Sequence, residues 1–130
     1  MVLGKKLFGN KSIILFISLF ILFLGGCAKH SEMNGKYINF ENNNDGTYIL
    51  SKGVDEISID GKIYYDTSGR VAGTVDYSSS KIVPDDKSIK PILFKYNEED
   101  KVLQLGKDDS KSLYVKTGSK KYKYIVKHLQ

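Results

Sequence analysis

The chain has no tryptophan, one cysteine and two prolines among its 130 residues, and each shortage narrows what it can be. A lone cysteine, Cys27, forms no intramolecular disulfide and offers no pair of thiolates to a metal, so the domain that follows must be held by its core. Arginine is almost as scarce: of 20 basic residues only Arg70 is not lysine. The planar guanidinium fork that reads bases and phosphates bidentately is therefore missing, and nucleic acid is not an expected partner. Two histidines remain, His30 ahead of the first periodic segment and His128 at the end of the last, neither on a scaffold that would position a general base. There is no Gly-x-Ser-x-Gly elbow, no phosphate-cradling glycine loop and no His-x-x-x-His pair. With no positioned acid, base and nucleophile, an enzyme is not expected, nor a cofactor, nor a metal.

What is present begins with the N-terminus. Lys5, Lys6 and Lys11 precede an apolar run over residues 13–24 that only Ser18 interrupts, and small residues follow at once, the layout of a secretory signal. Twelve residues, eleven of them apolar, fall short of the roughly 20 needed to span a bilayer. Leu24-Gly25-Gly26-Cys27 resembles the lipobox of bacterial lipoproteins of the Gram-positive type. The resemblance implies that Leu24, Gly25 and Gly26 are recognised by the signal peptidase and that cleavage precedes Cys27. It also implies that the Cys27 thiol carries a diacylglyceryl group and that the new N-terminus accepts a further acyl chain, giving the two or more chains that stable anchoring requires. The expected location is the extracytoplasmic face of the cell membrane, with membrane lipid as one partner. The organisation read this way is a signal peptide at 1–26, a lipidated cysteine and polar tether at 27–34, and one domain at 35–130. Removing the signal takes away three lysines and no acid, so the balance of 20 basic to 15 acidic residues falls to 17 against 15.

From Gly35 onward the period is two. Ile57 and Ile59 alternate with Ser58, Ile63 and Tyr65 flank Tyr64, and Val71, Gly73, Val75 and Tyr77 share one side of a strand. Ile92, Phe94 and Tyr96 follow, then Leu103 and Leu105, Leu113 and Val115, and finally Tyr122, Tyr124 and Val126. Half-buried antiparallel sheet carries this alternation. Strands are expected near 35–41, 46–51, 55–60, 62–66, 70–77, 91–96, 101–106, 112–117 and 121–128, with residues 78–90 as the longest loop and Pro84 limiting any helical turn there. Asp60-Gly61 supplies a type I′ hairpin turn between the third and fourth. No helical stripe of ten residues follows Cys27.

The fold class expected is all-β, a single antiparallel meander of eight or nine short strands. It would close into a small barrel to remove its edges, or remain a strongly twisted sheet or small sandwich. Gly35-Lys36-Tyr37 resembles the Gly-x-Trp that opens the lipocalin fold, with tyrosine in the place of tryptophan, which points to the barrel among these alternatives.

Three groups of residues carry possible chemistry. Glu41, Asn43, Asp45 and Gly46 fall loosely on the ligand positions of a calcium loop, but Lys52 stands where the closing carboxylate belongs, so the segment reads as a solvated turn. The nine tyrosines serve as sheet core or, in the sharper reading, as a binding surface or cavity lined by Tyr64, Tyr77, Tyr96, Tyr114 and Tyr124. Lys116, Lys120, Lys121, Lys123 and Lys127 form a basic ribbon suited to anionic lipid or wall polymer, or to protecting a strand edge. The function expected is a monomeric, non-enzymatic binding module for a small molecule, peptide or envelope component. Two alternatives stand beside it, a bacteriocin-immunity or phage-exclusion lipoprotein and an accessory subunit of a membrane complex.

Overall fold

The computed structural model describes residues 33–130, which form one compact unit, Met33–Gln130. Leu24, Gly25, Gly26, Cys27 and the rest of the signal and tether lie outside the described residues. Nine strands follow one another: β1 Gly35–Asn42, β2 Tyr48–Leu50, β3 Glu56–Asp60, β4 Ile63–Tyr65, β5 Val71–Asp76, β6 Lys81–Pro84, β7 Ile92–Asn97, β8 Val102–Leu105 and β9 Ser112–Lys116. A short 3-10 turn, Asp108–Ser110, precedes β9, and a helix, α1, spans Lys120–Lys127.

The sheet closes. Strands β3 to β9 pair in sequence order and antiparallel, and β1 pairs with β3 on one side and β9 on the other, making an eight-stranded barrel with β2 as a ninth, additional strand. Strand β2 lies along the far part of β1, on the same side as β3 (Phe40 against Leu50, then Ile38 against Glu56). The two are halves of one strand, interrupted where residues 51–55 loop outward. Because neighbours run in opposite directions, the turns after β3, β5 and β7 lie at the end where Met33 enters, and those after β4, β6 and β8 at the far end.

An eight-stranded barrel has an interior that side chains can fill or that can hold one small ligand. Here the inward positions are Tyr37, Ile57, Ile59, Val75, Ile82, Phe94, Leu103, Leu105 and Tyr114, all buried in one cluster that Tyr64, Tyr77, Ile92 and Tyr96 extend. Met33, 4% exposed, belongs to the same cluster and plugs the entry end. A second cluster lies outside the wall, where Phe40, Tyr48, Val115 and Ile125 pack with Leu50, Val102, Leu113 and Tyr122. Strands β1, β8 and β9 are therefore apolar on both faces, as a strand covered on both sides must be.

Three expectations are corrected. The segment expected as strand 121–128 is the helix α1. Tyr122, Tyr124 and Val126 do alternate, but Tyr122 and Ile125 stand three apart, and a short segment satisfies both periods. Gly118, at φ 79, and the Ser119 side chain decide between them, the serine accepting from the Tyr122 N–H at 3.1 Å as an N-cap. The second correction is β6, inside the expected 78–90 loop. It is only four residues long, but Ile82 is fully buried and Gly73 to Asp76 pair with it. Pro84 is tolerated because the Asp85 N–H bonds to Ala72 on β5, which turns the missing N–H of residue 84 toward β7, whose pairing stops at Ile92. The Asp60-Gly61 turn is present one residue later than expected: Asp60 pairs with Ile63, and of the central Gly61 and Lys62 only Gly61 has positive φ, 62°, the pattern of type II′ rather than I′.

Closeness of approach fixes one glycine. A Cβ on Gly73 would lie 2.6 Å from the Val83 carbonyl oxygen and 3.2 Å from Pro84 Cα, both backbone, so Gly73→Ala forces β5 from β6. A loss of about 1 to 3 kcal/mol in urea unfolding is expected, the usual cost of overpacking. The helix makes a sharper prediction. Ile125→Ala should cost about 2 to 5 kcal/mol, whereas Val126→Ala should cost under about 1, since Ile125 is fully buried and Val126 is 43% exposed. Reversed magnitudes would restore the strand.

Candidate functional site

Of the five tyrosines singled out as a binding set, the barrel brings four together. Tyr64 on β4, Tyr77 after β5, Tyr96 on β7 and Tyr114 on β9 all pack against the interior cluster. Tyr37, which the sequence marks only as the tyrosine of Gly35-Lys36-Tyr37 and not as one of the binding set, is the fully buried centre of that group, and Tyr96 meets it edge to face at 6.4 Å. Their hydroxyls stitch the barrel ends. Tyr37 donates to the Met33 carbonyl at 2.6 Å, Tyr77 donates to the Gly61 carbonyl, and Asn34 accepts from the Gly61 N–H at 2.7 Å, so the entry end is laced shut. Toward the far end Tyr114 donates to the Asp55 carboxylate at 3.0 Å, and Asn39 donates to the Leu113 carbonyl and accepts from Ser51.

Burial is the first cause of the shifts in these phenols. It pushes Tyr37 and Tyr114 far above the ordinary tyrosine value, with Tyr96 adding to the first and Asp55 to the second. Tyr64 and Tyr77 are raised for the same reason, and the carboxylates of Asp55 and Asp66 act further on Tyr64.

Tyr124 is not part of this group. It stands on the outer side of α1, 49% exposed, its ring stacked on His128 at 4.1 Å and meeting Tyr48 edge to face at 6.0 Å. Lys121 Nζ sits 5.4 and 5.5 Å from the Tyr48 and Tyr124 ring centres, a cation over two aromatic faces, and donates to the Tyr48 hydroxyl at 3.3 Å. The basic ribbon is thus divided: Lys116 ends β9, and Lys120, Lys121, Lys123 and Lys127 ride on the helix.

The acidic loop residues do local structural work that composition does not reveal. Asp45, Asp66, Asp76 and Asp86 each accept from the N–H and the hydroxyl of the Thr or Ser two positions on, namely Thr47, Ser68, Ser78 and Ser88. The signal was legible as Asp-x-Ser/Thr, which occurs five times and forms a turn clamp in these four; in the fifth, Asp108-Asp109-Ser110, the serine hydroxyl donates to the Lys107 carbonyl instead. The segment matched loosely to a calcium loop is one of them. Among the described residues no group of three His, Cys, Asp or Glu is placed to hold a metal.

Two clefts lie on the outside. One, of about 380 Å3, sits at the rim between β1 and β9, lined by Asn39, Glu41, Lys111 and Leu113 among others. The larger, of about 540 Å3, runs over β7, β8 and the 106–111 loop, and three lysines line it: Lys95, Lys107 and Lys111. Comparison with family models, with curated proteins and with solved structures finds no match to this chain, so its geometry and chemistry alone bear on its role.

The phenols and carboxylates bracket the pH range of stability. Raised phenol values mean that the folded chain keeps protons the unfolded chain gives up, so this stability is complete below about pH 10 and falls as pH rises beyond it. Glu56, held down by Lys36, and the four clamp aspartates, held down by their Ser or Thr partners, contribute above about pH 4 and are lost as pH falls. In an alkaline titration, phenolate absorbance should therefore show a late cooperative step coincident with loss of the β-sheet circular-dichroism signal. Gradual ionisation of every tyrosine near pH 10 with the fold intact would contradict the interior placement.

Proposed function

We propose that this protein is an extracytoplasmic lipoprotein, anchored through lipid on Cys27, whose barrel is a non-enzymatic binding module for an envelope component, small molecule or peptide. The observation that carries the reading is the lipobox Leu24-Gly25-Gly26-Cys27 standing only six positions ahead of Met33, the residue that plugs the barrel. At about 3.5 Å per residue, such a tether reaches about 20 Å at most, which confines the entry end to the membrane surface and leaves the far-end loops to meet partners. The filled interior supports a rigid scaffold whose recognition chemistry is on its outer wall. No described helix is long and apolar enough to cross a membrane. A second reading, an accessory subunit of a membrane complex, draws on the exposed Tyr124, Val126 and Leu129 around α1.

Replacing Cys27 with serine should abolish labelling by radioactive fatty acid and leave unprocessed precursor. Labelling equal to the parent would remove the anchor from the proposal. Confinement to a surface raises effective concentration toward a membrane-borne partner without any new contact. Cells carrying the anchored chain should therefore retain ligand, or show the associated phenotype, far better than cells secreting a chain that begins at Ala28 at equal amount. Equal retention would identify a diffusible-ligand carrier. Co-purification of one membrane protein in stoichiometric yield, lost on Tyr124→Ala, would favour the second reading.

A further inference from the structure

The 540 Å3 cleft is built from the register of β7 on β8 and from a tightly tied loop. Lys95 pairs with Gln104 across the two strands, and both residues line the cleft. Beyond β8 the chain turns at Gly106, φ 90, where a Cβ would lie 2.9 Å from the Ser110 carbonyl oxygen, so only glycine lets the loop fold back this closely. Asp108 follows at φ 51, the left-handed region that costs a side-chain-bearing residue energy. The Ser110 N–H and hydroxyl both donate to the Lys107 carbonyl, at 3.1 and 2.9 Å, and the Lys111 N–H donates to that of Asp108. This holds Lys107 and Lys111 on the same cleft as Lys95.

Among the described residues none of the three lysines lies within ion-pair reach of a carboxylate. Against them the lining holds one acid, Asp108, an excess of two positive charges, with Ser80 and Gln104 as neutral polar residues, the Gln104 amide donating to the Gly106 carbonyl at 3.4 Å. Like charges gathered on one concave wall raise the local positive potential, and a bound anion relieves it. The planar fork that suits carboxylates is absent, because Arg70 lies in the 66–70 turn and not in the lining. Ammonium groups carried by a strand and a loop around one cleft instead suit a tetrahedral anion with oxygens on every side.

From this geometry we infer that the cleft binds phosphate esters: a phosphomonoester dianion, or two consecutive diester phosphates, matching the excess of two charges. This deepens the binding-module reading by naming a ligand class, yet it stands apart from the anchor. Failure to bind phosphate would leave lipid attachment at Cys27 untouched, and an unlipidated chain would still present the cleft.

The test uses a chain beginning at Ala28, which retains the closed barrel and both apolar clusters. Titration with glycerol 3-phosphate at low salt, followed by amide NMR shifts, should give saturable changes confined to Lys95, Gln104 and residues 106–111. Lys95→Ala and Lys111→Ala should each weaken binding about tenfold, the loss of one charge-assisted contact. Asp108→Asn should tighten it, and Lys87→Ala, outside the lining, should leave it unchanged. Two further arms separate sources of the same chemistry. Preference for a glycerol-phosphate oligomer over phosphatidylglycerol vesicles would assign an envelope polymer, and the reverse would assign lipid headgroups. The inference is overturned if acetate shifts the same amides equally well, if the shifts spread over all surface lysines without saturation, or if Lys95→Ala and Lys111→Ala bind like the parent.

Discussion

Everything in the barrel depends on β1 finding β9. Tyr37 to Phe40 pair with Lys116 to Leu113, and without those bonds the first and last strands of the barrel would be exposed edges inviting other chains. Closure turns Tyr37 to the axis, where it joins the interior, and packs Phe40 of β1 with Val115 of β9 on the outer side, where an open meander would leave them wet. The outward pair explains α1. A wall that is apolar on its outer side needs a cover, and Ile125 and Tyr122 supply it. Strand β2, outside the barrel, is secured by the same device: its Tyr48 N–H donates to the His128 carbonyl, and its Tyr48 carbonyl accepts from Gln130.

The sequence was most legible where one face is buried and the strand is long enough to show it. Ile57 and Ile59 around Ser58, or Phe94 and Tyr96 around Lys95, leave no doubt about period or face, and the barrel follows from counting such segments and asking what becomes of their edges. Strand β6 escaped because four residues show barely one alternation, and its proline points away from sheet unless the neighbour's length is known. The helix escaped because its buried positions, 122 and 125, lie inside a segment that also alternates; only the serine cap breaks the tie, and its effect depends on tertiary cover. The apolar second face of β1 and β9 was the available clue that something lay across them.

The candidate site was legible only in part, for a related reason. Inward register collects Tyr64, Tyr77, Tyr96 and Tyr114, so their grouping follows from the strand assignments, while Tyr124 leaves the group because its segment is helical. The lysine cleft could not be read from sequence. Lys95 shares a cleft with Lys107 and Lys111 through a strand pairing and a loop whose shape is set by one crowded glycine and one left-handed aspartate.

The distance along the chain between the closing strands has a kinetic meaning. Partners on β1 and β9 are about 70 to 80 residues apart, so the barrel cannot complete until nearly all of it is available. The entropy of that long loop is spent before the pairing returns anything, which slows folding relative to a fold of local contacts. Such delay keeps the chain slack until its last strand is free, and only then does the barrel seal.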